Sequence, residues 1–300
     1  MSSTTTARGA GSPRPPALPS PSAGSGTVAP STAYLLEGQT SELERLRLQS
    51  MVWEPAGRRL LESLAPFRGR RVVDLGCGAL GWLRVLSDWV GPDGEVVGTD
   101  VDGRLLDLAQ DFVDSEGLSN VRLVHDDIFD TALEPESFDL VHARFQIAPL
   151  GRGAEILSTV RQLLAPGGRV VLEDPDSASW HFNPPAPALE ALTRLVVHAF
   201  QRYGGDFDAG RGHAGSLRAA GFETEVRTEV LALEPGHPYL SLPVQFSASL
   251  EPRLTTLVDS VELDRLRSAA ARELEDRDRW GTTFTLVQTV GRAHLVAGRG

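Results

Sequence analysis

One short segment, residues 72–82, constrains the fold of this chain more than any other. It reads Val-Val-Asp-Leu-Gly-Cys-Gly-Ala-Leu-Gly-Trp. The apolar residues before Asp74 predict a buried strand, and the residues after Gly81 predict a helix. Glycine permits tight turns and lets a ligand approach the backbone, while a helix N-terminus offers unpaired N–H groups. The segment therefore predicts a strand, a ligand-binding turn and a helix in series.

The spacing of the glycines leaves two kinds of ligand open. Gly76, Gly78 and Gly81 fit the G-x-G-x-x-G pattern of dinucleotide-binding proteins. Asp74 followed by Gly76 and Gly78 also resembles motif I, [DE]-x-G-x-G-x-G, of the class I S-adenosylmethionine-dependent methyltransferases. The third glycine of that motif falls on Leu80 in this chain. The turn alone does not choose between the two.

Composition disfavours several functional classes. The chain has 300 residues, and its formal net charge of -11 disfavours a nucleic-acid partner because it repels phosphate backbones. A single cysteine excludes an internal disulfide, and the 7 histidines show no metal-binding spacing, so we expect no metal site. No run approaches the roughly 18 apolar residues that span a membrane. We therefore expect a cytoplasmic protein with no membrane or nucleic-acid partner, and a homodimer stays open.

Changes in composition and periodicity predict how the chain is organised. Strands and helices alternate from residue 68, which predicts an α/β fold with a doubly wound, mostly parallel sheet. Ahead of that region we predict two helices, the first of them ended or kinked by Pro55. The predicted parts are a disordered tail (1–30), a helical cap (31–67), an α/β core (68–176), a lid insertion (177–215) and a C-terminal part (216–300) with a helical insertion (236–279) and a last strand.

This order of elements resembles the class I methyltransferase fold, a seven-stranded sheet whose last strand is antiparallel. The resemblance covers about residues 34–292. Within this class, the chain is similar to bacterial small-molecule enzymes of the ubiquinone/menaquinone-methylase-like type. Beyond the turn, the matching motifs are Gly98-Thr-Asp100, His125-Asp126-Asp127-Ile128, Phe138-Asp-Leu-Val141 and Leu164-Ala-Pro-Gly-Gly-Arg-Val-Val-Leu172.

The resemblance implies S-adenosylmethionine as the cofactor and gives roles to individual residues. Asp100, with Val101 beside it, would accept hydrogen bonds from the ribose hydroxyls. Asp127 and the backbone of Ile128 would bind adenine, and Asp126 is the rival acid. The remaining residues implied for the turn and the methionine tail are Asp74, Gly76, Cys77, Gly78, Ala143 and Arg144, with Gln49 and Tyr34 from the N-terminal part.

Methyl transfer to a small organic acceptor, in specialised metabolism, is the activity that the resemblance implies. Placing the acceptor in line accelerates such a displacement, and an oxygen acceptor usually also needs a general base. We expect the acceptor between the N-terminal helices and residues 177–215. The candidate bases are His142, Asp174, His181 and His213, and the candidate pocket aromatics are Trp53, Trp180, Phe182, Phe200, Tyr203 and Phe246.

Two other functions stay open at this point. One is a protein that binds S-adenosylmethionine without transferring a methyl group, either as a rearrangement catalyst or as a binding module. The other is an NAD-dependent oxidoreductase, because such enzymes also carry an acid about 20 residues after a glycine turn. They do not require an acid before the first glycine or a Pro-Gly-Gly entry to the fifth strand, which favours the methyltransferase.

Overall fold

A seven-stranded sheet is the frame of the protein. The computed structural model describes residues 40–64 and 69–293, so the predicted tail (1–30) and Tyr34 lie outside the described residues. The strands are β1 Arg71–Leu75, β2 Glu95–Asp100, β3 Val121–His125, β4 Phe138–Arg144, β5 Leu164–Asp176, β6 His181–Asn183, β7 Phe222–Glu229, β8 Ala232–Leu233, β9 Trp280–Thr282 and β10 Thr285–Ala293. The helices are α1 Thr40–Ser63, α2 Leu83–Val90, α3 Gly103–Glu116, α4 Ile147–Leu150, α5 Gly153–Leu163, α6 Pro187–Arg202, α7 His213–Ala219, α8 Leu242–Ser249, α9 Glu251–Leu254 and α10 Ser260–Leu274.

The order of the strands confirms the predicted fold class. The main sheet runs β3-β2-β1-β4-β5-β10-β7. The first five strands pair in parallel, and β10 lies antiparallel to both β5 and β7. The strand order reverses between β1 and β4, and ligands of open α/β sheets bind outside the carboxyl ends of the strands at such a point. The glycine turn follows β1 and therefore lies at this edge.

Apolar side chains cover both faces of the sheet, as a parallel sheet with helices on both sides requires. Val72, Val96 and Leu140 belong to the core cluster on one face, which also contains α2 residues. Val73 and Val141 belong to the cluster on the other face, against α5. This double burial fixes the strand register and so the positions of the residues that end each strand.

The N-terminal part differs from the prediction of two helices. α1 is one continuous helix of 24 residues with Pro55 inside it. Proline removes one helical hydrogen bond, which would have reached the carbonyl of Met51. Pro55 is exposed and Met51 is 73% exposed, so water can bond the freed carbonyl. Trp53 and Leu60 are buried along the opposite side and hold the helix through the proline.

Residues 204–215, a glycine-rich part of the predicted lid insertion, are packed into the protein. Phe207 is 2% exposed, and a short 3-10 helix covers Ala209–Gly212. A Cβ on Gly210 would lie 2.7 Å from the carbonyl oxygen of Asp174 and 2.7 Å from Val287 Cβ. Glycine here permits close packing on β5 and β10, which sequence periodicity cannot distinguish from flexibility.

Candidate active site

The glycine turn at the carboxyl end of β1 has the backbone shape that its composition indicates. Gly76 and Gly78 have φ values of 66° and 57°, the left-handed region that favours glycine. The Cys77 N–H donates to the Thr99 carbonyl over 2.7 Å, which joins the turn to β2. A Cβ on Gly81 would lie 2.6 Å from Asp74 Oδ2, so the third glycine is needed at position 81. This explains the departure from motif I at Leu80.

Asp100 fixes the turn from the end of β2. Its Oδ2 accepts the N–H of Gly78 and its Oδ1 accepts the N–H of Asp102, both over 2.9 Å. Burial raises the pKa of Asp100, while the two backbone hydrogen bonds oppose that effect. Each oxygen keeps a lone pair for a further donor, so the carboxylate can still accept two hydroxyl groups.

A cavity of about 580 Å³ opens above this turn, within the usual size of a small-molecule site. Most of the residues predicted to bind the cofactor line this cavity. Ala143 is not among the lining residues and is buried in the core below the sheet edge. The predicted residues that line the cavity are Gln49, Asp74, Gly76, Cys77, Gly78, Asp100, Val101, Asp127, Ile128 and Arg144.

The acids after β3 form the far wall of the cavity. Asp127 is exposed, and its Oδ1 accepts the N–H of Phe129 over 2.9 Å. Asp126 is buried, and its Oδ1 accepts the N–H of Ala132 over 2.8 Å. Among the described residues, Asp126 Oδ2 has no hydrogen-bond partner although it is buried. Both acids therefore offer a free acceptor to a ligand amine.

Arg144 supplies positive charge at the opposite end. Its Nη1 is buried and has no hydrogen-bond partner within the part of the chain that the structure describes. Its guanidinium carbon lies 5.9 Å from the ring centre of Trp82 and 5.7 Å from that of Phe145. Burial lowers the pKa of Arg144, although the nearby Glu173 and Asp74 carboxylates oppose this. An anionic ligand group would relieve the cost of this buried cation.

Two lining residues escaped the sequence analysis because no sequence pattern signals them. Gln146 Nε2 donates to the Gly76 carbonyl over 3.0 Å. A Cβ on Gly76 would lie 2.3 Å from the amide of Gln146, so only glycine fits below it. Phe145 has φ 55°, and its N–H donates to the Glu173 carbonyl over 2.7 Å. A non-glycine residue in this region is strained, and such residues cluster at functional sites.

The four predicted bases do not line the cavity. His142 is fully buried between Asp74 and Glu173. Asp174 is 1% exposed, with Oδ1 accepting the N–H of Ala148 and Oδ2 3.1 Å from Nε2 of the buried His213. His181 is exposed on β6. Their side chains lie outside the cavity because a position near a strand end does not determine the direction of the side chain. A catalytic role for these four residues stays a prediction.

The remaining observations concern nucleophilic, metal-binding and membrane-spanning groups. The thiol of Cys77 is buried, and burial and the Asp74 and Asp100 charges raise its pKa well above the usual value, so it is a poor nucleophile. Residues 40–64 and 69–293 contain no cluster of three or more His, Cys, Asp or Glu side chains arranged for a metal. None of the helices in that part could cross a membrane.

Comparison with known proteins identifies the domain. A family described as "Methyltransferase domain" matches residues 66–207. Those residues are a class I methyltransferase domain. Demethylmenaquinone methyltransferase of Geobacillus kaustophilus (strain HTA426) is 32% identical over 104 residues, 35% of this chain and 44% of the relative. The Staphylococcus aureus (strain JH9) protein of that name is 32% identical over 123 residues, 41% of this chain and 49% of the relative.

The methyltransferase domain matches only part of each relative, so the chain spans less than half the length of the two curated relatives. Among solved structures, the YcgJ protein of Bacillus subtilis superposes with a TM-score of 0.54 at 16% identity. The superposition covers 79% of this chain and 97% of that one. At this identity the likeness shows the fold alone.

The residues of the methyltransferase domain fit S-adenosylmethionine, the cofactor of this class. Gly78 has open space where a Cβ would be, so its backbone faces the cavity. Asp126 follows β3 and Arg144 ends β4, with β2 and β1 between them, so the unpartnered acceptor and the unpartnered donor are separated along the sheet edge. This separation suits an adenine amine at one end and a carboxylate at the other. The free lone pairs of Asp100 lie on the wall between them.

Proposed function

We propose that the chain transfers a methyl group from S-adenosylmethionine to a small organic acceptor. The observation that carries the proposal is the position of Asp100, whose carboxylate joins Gly78 to Asp102 and still lines the cavity. A carboxylate held in this way at the second strand end is suited to two neighbouring ribose hydroxyls. The methyltransferase domain around it supports the same reading.

Each end of the cavity would hold a different part of the donor. Asp127 or Asp126 would accept the adenine amine, while the Ile128 backbone N–H would donate to the ring. Arg144 would bind the methionine carboxylate, since it is the buried cation with an unpartnered nitrogen among the described lining residues. The donor supplies an electrophilic methyl group when bound, and the chain orients it.

The acceptor would approach beside Phe145 and Gln49. Both residues line the donor cavity and also a smaller neighbouring one, which is mainly apolar. The other residues of the smaller cavity are Arg45, Ala148, Pro149, Pro175, Phe200, Phe207, Phe246 and Phe284. The smaller cavity measures only about 30 Å³, room for about one or two water molecules, so its phenylalanine rings would have to move apart to admit a flat, apolar acceptor. The two relatives are demethylmenaquinone methyltransferases, and their names also point to a small-molecule acceptor.

The chain would act by positioning the acceptor. No histidine lines either cavity in the described part of the chain. A nucleophile that carries a lone pair or a negative charge at neutral pH needs no protein base, so alignment alone would supply the acceleration. The net charge of -11 supports a small acceptor over a nucleic acid.

Isotope transfer tests the proposal. The chain is incubated with S-adenosylmethionine labelled in the methyl group and with extracts of small metabolites, and products are found by mass spectrometry. We expect a labelled product that is absent with Asp100→Ala. Stoichiometric donor binding with no labelled product from any extract would contradict methyl transfer and favour the binding or rearrangement function.

A further inference from the structure

A row of polar side chains crosses four neighbouring strands directly below the glycine turn. Asp74 on β1 contacts His142 on β4, which contacts Glu173 on β5. Glu173 in turn accepts a hydrogen bond from Gln288 on β10. All four side chains are buried within the sheet. We call these residues the polar row. Burying so many polar groups costs free energy, so the polar row is not explained by packing alone.

The imidazole of His142 is held on three sides. Its Nδ1 lies 2.7 Å from Asp74 Oδ1, and its Nε2 lies 3.2 Å from Glu173 Oε2. Its ring stacks on the indole of Trp82, with ring centres 4.0 Å apart and planes at 17°. Asp74 Oδ2 accepts the N–H of Trp82 over 3.0 Å. His142 therefore contacts both residues that bound the glycine turn, Asp74 before it and Trp82 after it.

The contacts favour a positively charged ring. A neutral imidazole has one N–H and one lone pair, so it could satisfy only one of the two carboxylates. Burial alone would lower the pKa of His142, but the charges of Asp74 and Glu173 raise it above the usual value. Arg144 also faces these two carboxylates. Among the described residues around His142, two cations thus balance two anions.

We propose that His142 is a positioning residue for the donor: as an imidazolium between Asp74 and Glu173, stacked on Trp82, it holds the glycine turn in its binding shape. It reaches the donor only through Asp74 and Trp82, since it does not line the cavity. Without the charge, the ring can donate a hydrogen bond to only one of the two carboxylates, and the turn loses part of its support from below. The proposal rests on the proposed function.

The pH dependence of donor binding follows from the charge of His142. Its pKa is raised, so the supporting charge is present below that pKa and is lost as the pH rises through it. The affinity for donor should therefore hold through neutral pH and fall at higher pH. A variant without the histidine should bind more weakly at neutral pH and lack this fall.

Calorimetry and NMR test the proposal together. We titrate S-adenosylhomocysteine into the wild-type chain and His142→Gln from pH 6 to 9. We expect on the order of 10-fold weaker binding for the variant at pH 7, as for the loss of a hydrogen bond to a charged group. The ratio of the two affinities should shrink as the pH rises. His198→Gln is the control, since His198 is exposed on α6 and lies outside the polar row and the cavity lining.

Nitrogen NMR of the wild-type chain covers the case in which His142→Gln does not fold. We expect His142 to carry protons on both nitrogens at pH 7.5, where an ordinary histidine, with a pKa of about 6.5, is neutral. A neutral ring at that pH overturns the proposal, as does a constant affinity ratio near one. If the wild-type chain binds no S-adenosylhomocysteine at all, the proposed function itself has failed.

Discussion

The donor edge of the sheet and the aromatic half beside it are held by different forces. The donor edge comprises residues 76–81 and the ends of β2, β3 and β4, and hydrogen bonds between carboxylates and backbone N–H groups define it. The aromatic half comprises Trp180, Phe200, Phe207, Phe246 and Phe284, whose ring centres lie 5.3 to 6.4 Å apart in the contacts among them. The donor edge is thus a polar site of fixed geometry, whereas the aromatic half is a packed apolar core.

This difference indicates which region would recognise the cofactor and which would recognise the proposed acceptor. Hydrogen bonds of fixed geometry at the donor edge suit one cofactor with known donors and acceptors. Ring packing is less directional and follows the shape of whatever it encloses. On the proposed function, acceptor specificity would therefore lie in the aromatic half, while the donor edge would bind the cofactor.

The largest effect on stability is expected from the aromatic half. Phe207 stacks on Trp180 with ring centres 5.5 Å apart and also contacts Phe200, Phe246 and Phe284. Phe207→Ala should lower the free energy of unfolding by about 3–5 kcal/mol because it leaves a cavity. Urea denaturation measures this. Val261→Ala, at a position that is 56% exposed, should change stability by less than about 0.5 kcal/mol.

The same variant separates the two regions. At a temperature where Phe207→Ala is folded, it should bind S-adenosylhomocysteine as the wild-type chain does. Loss of donor binding by the folded variant would show that the aromatic half also shapes the donor edge.

The largest effect on donor binding is expected from Asp100. Asp100→Ala removes the acceptor for the ribose and releases the N–H groups of Gly78 and Asp102. Affinity for S-adenosylhomocysteine should fall on the order of 100-fold, about 2.7 kcal/mol. Calorimetry measures this, with Asp107→Ala on the exposed side of α3 as the control. An unchanged affinity for Asp100→Ala would disprove the ribose assignment.

The joint between the two regions lies at Gly57, where α1 packs on the turn. A Cβ there would lie 2.5 Å from Trp82 Cζ2, in the ring that stacks on His142. Gly57→Ala should destabilise the fold by about 1–3 kcal/mol through overpacking. Gly215→Ala in α7, which has nothing within 4 Å of the added Cβ, should instead stabilise by about 0.5–1 kcal/mol. In thermal unfolding, the melting temperature should fall for Gly57→Ala and rise for Gly215→Ala. Equal shifts of the two melting temperatures would contradict this account.

The smallest of these effects is expected for Arg144, at one end of the donor edge, where a substitution should weaken ligand binding. Arg144→Ala should weaken S-adenosylhomocysteine about 10-fold, as for a charged hydrogen bond. Binding of methylthioadenosine, which has no carboxylate, should stay unchanged. Competition binding with both ligands measures the difference. Equal losses for the two ligands would place Arg144 away from the methionine tail.

The donor edge could be predicted far better than the aromatic half. The bounds of β2 and β3 match their apolar runs, and the acids Asp100 and Asp127 follow them where the motif resemblance indicates. Here local pattern and function coincide within a few residues. Gln146 was missed because it acts through contact with Gly76, 70 positions away in sequence.

The other site residues could not be predicted because the sequence does not give the direction of a side chain. His142 and Asp174 lie near strand ends, as predicted, but their side chains join buried pairs rather than the cavity. Pro55 was read as a break because the local cost of proline is known, whereas the packing of Trp53 that outweighs it involves distant Tyr239 and Phe284. Such long-range contacts leave no local signal in one sequence.

One titration tests the central claim most directly, because the glycine turn first allowed either of two cofactors. The wild-type chain is titrated separately with S-adenosylhomocysteine and NAD+ by calorimetry. We predict saturable binding of S-adenosylhomocysteine at one site per chain and no heat from NAD+. Binding of NAD+ without binding of S-adenosylhomocysteine would contradict the assignment of the donor edge.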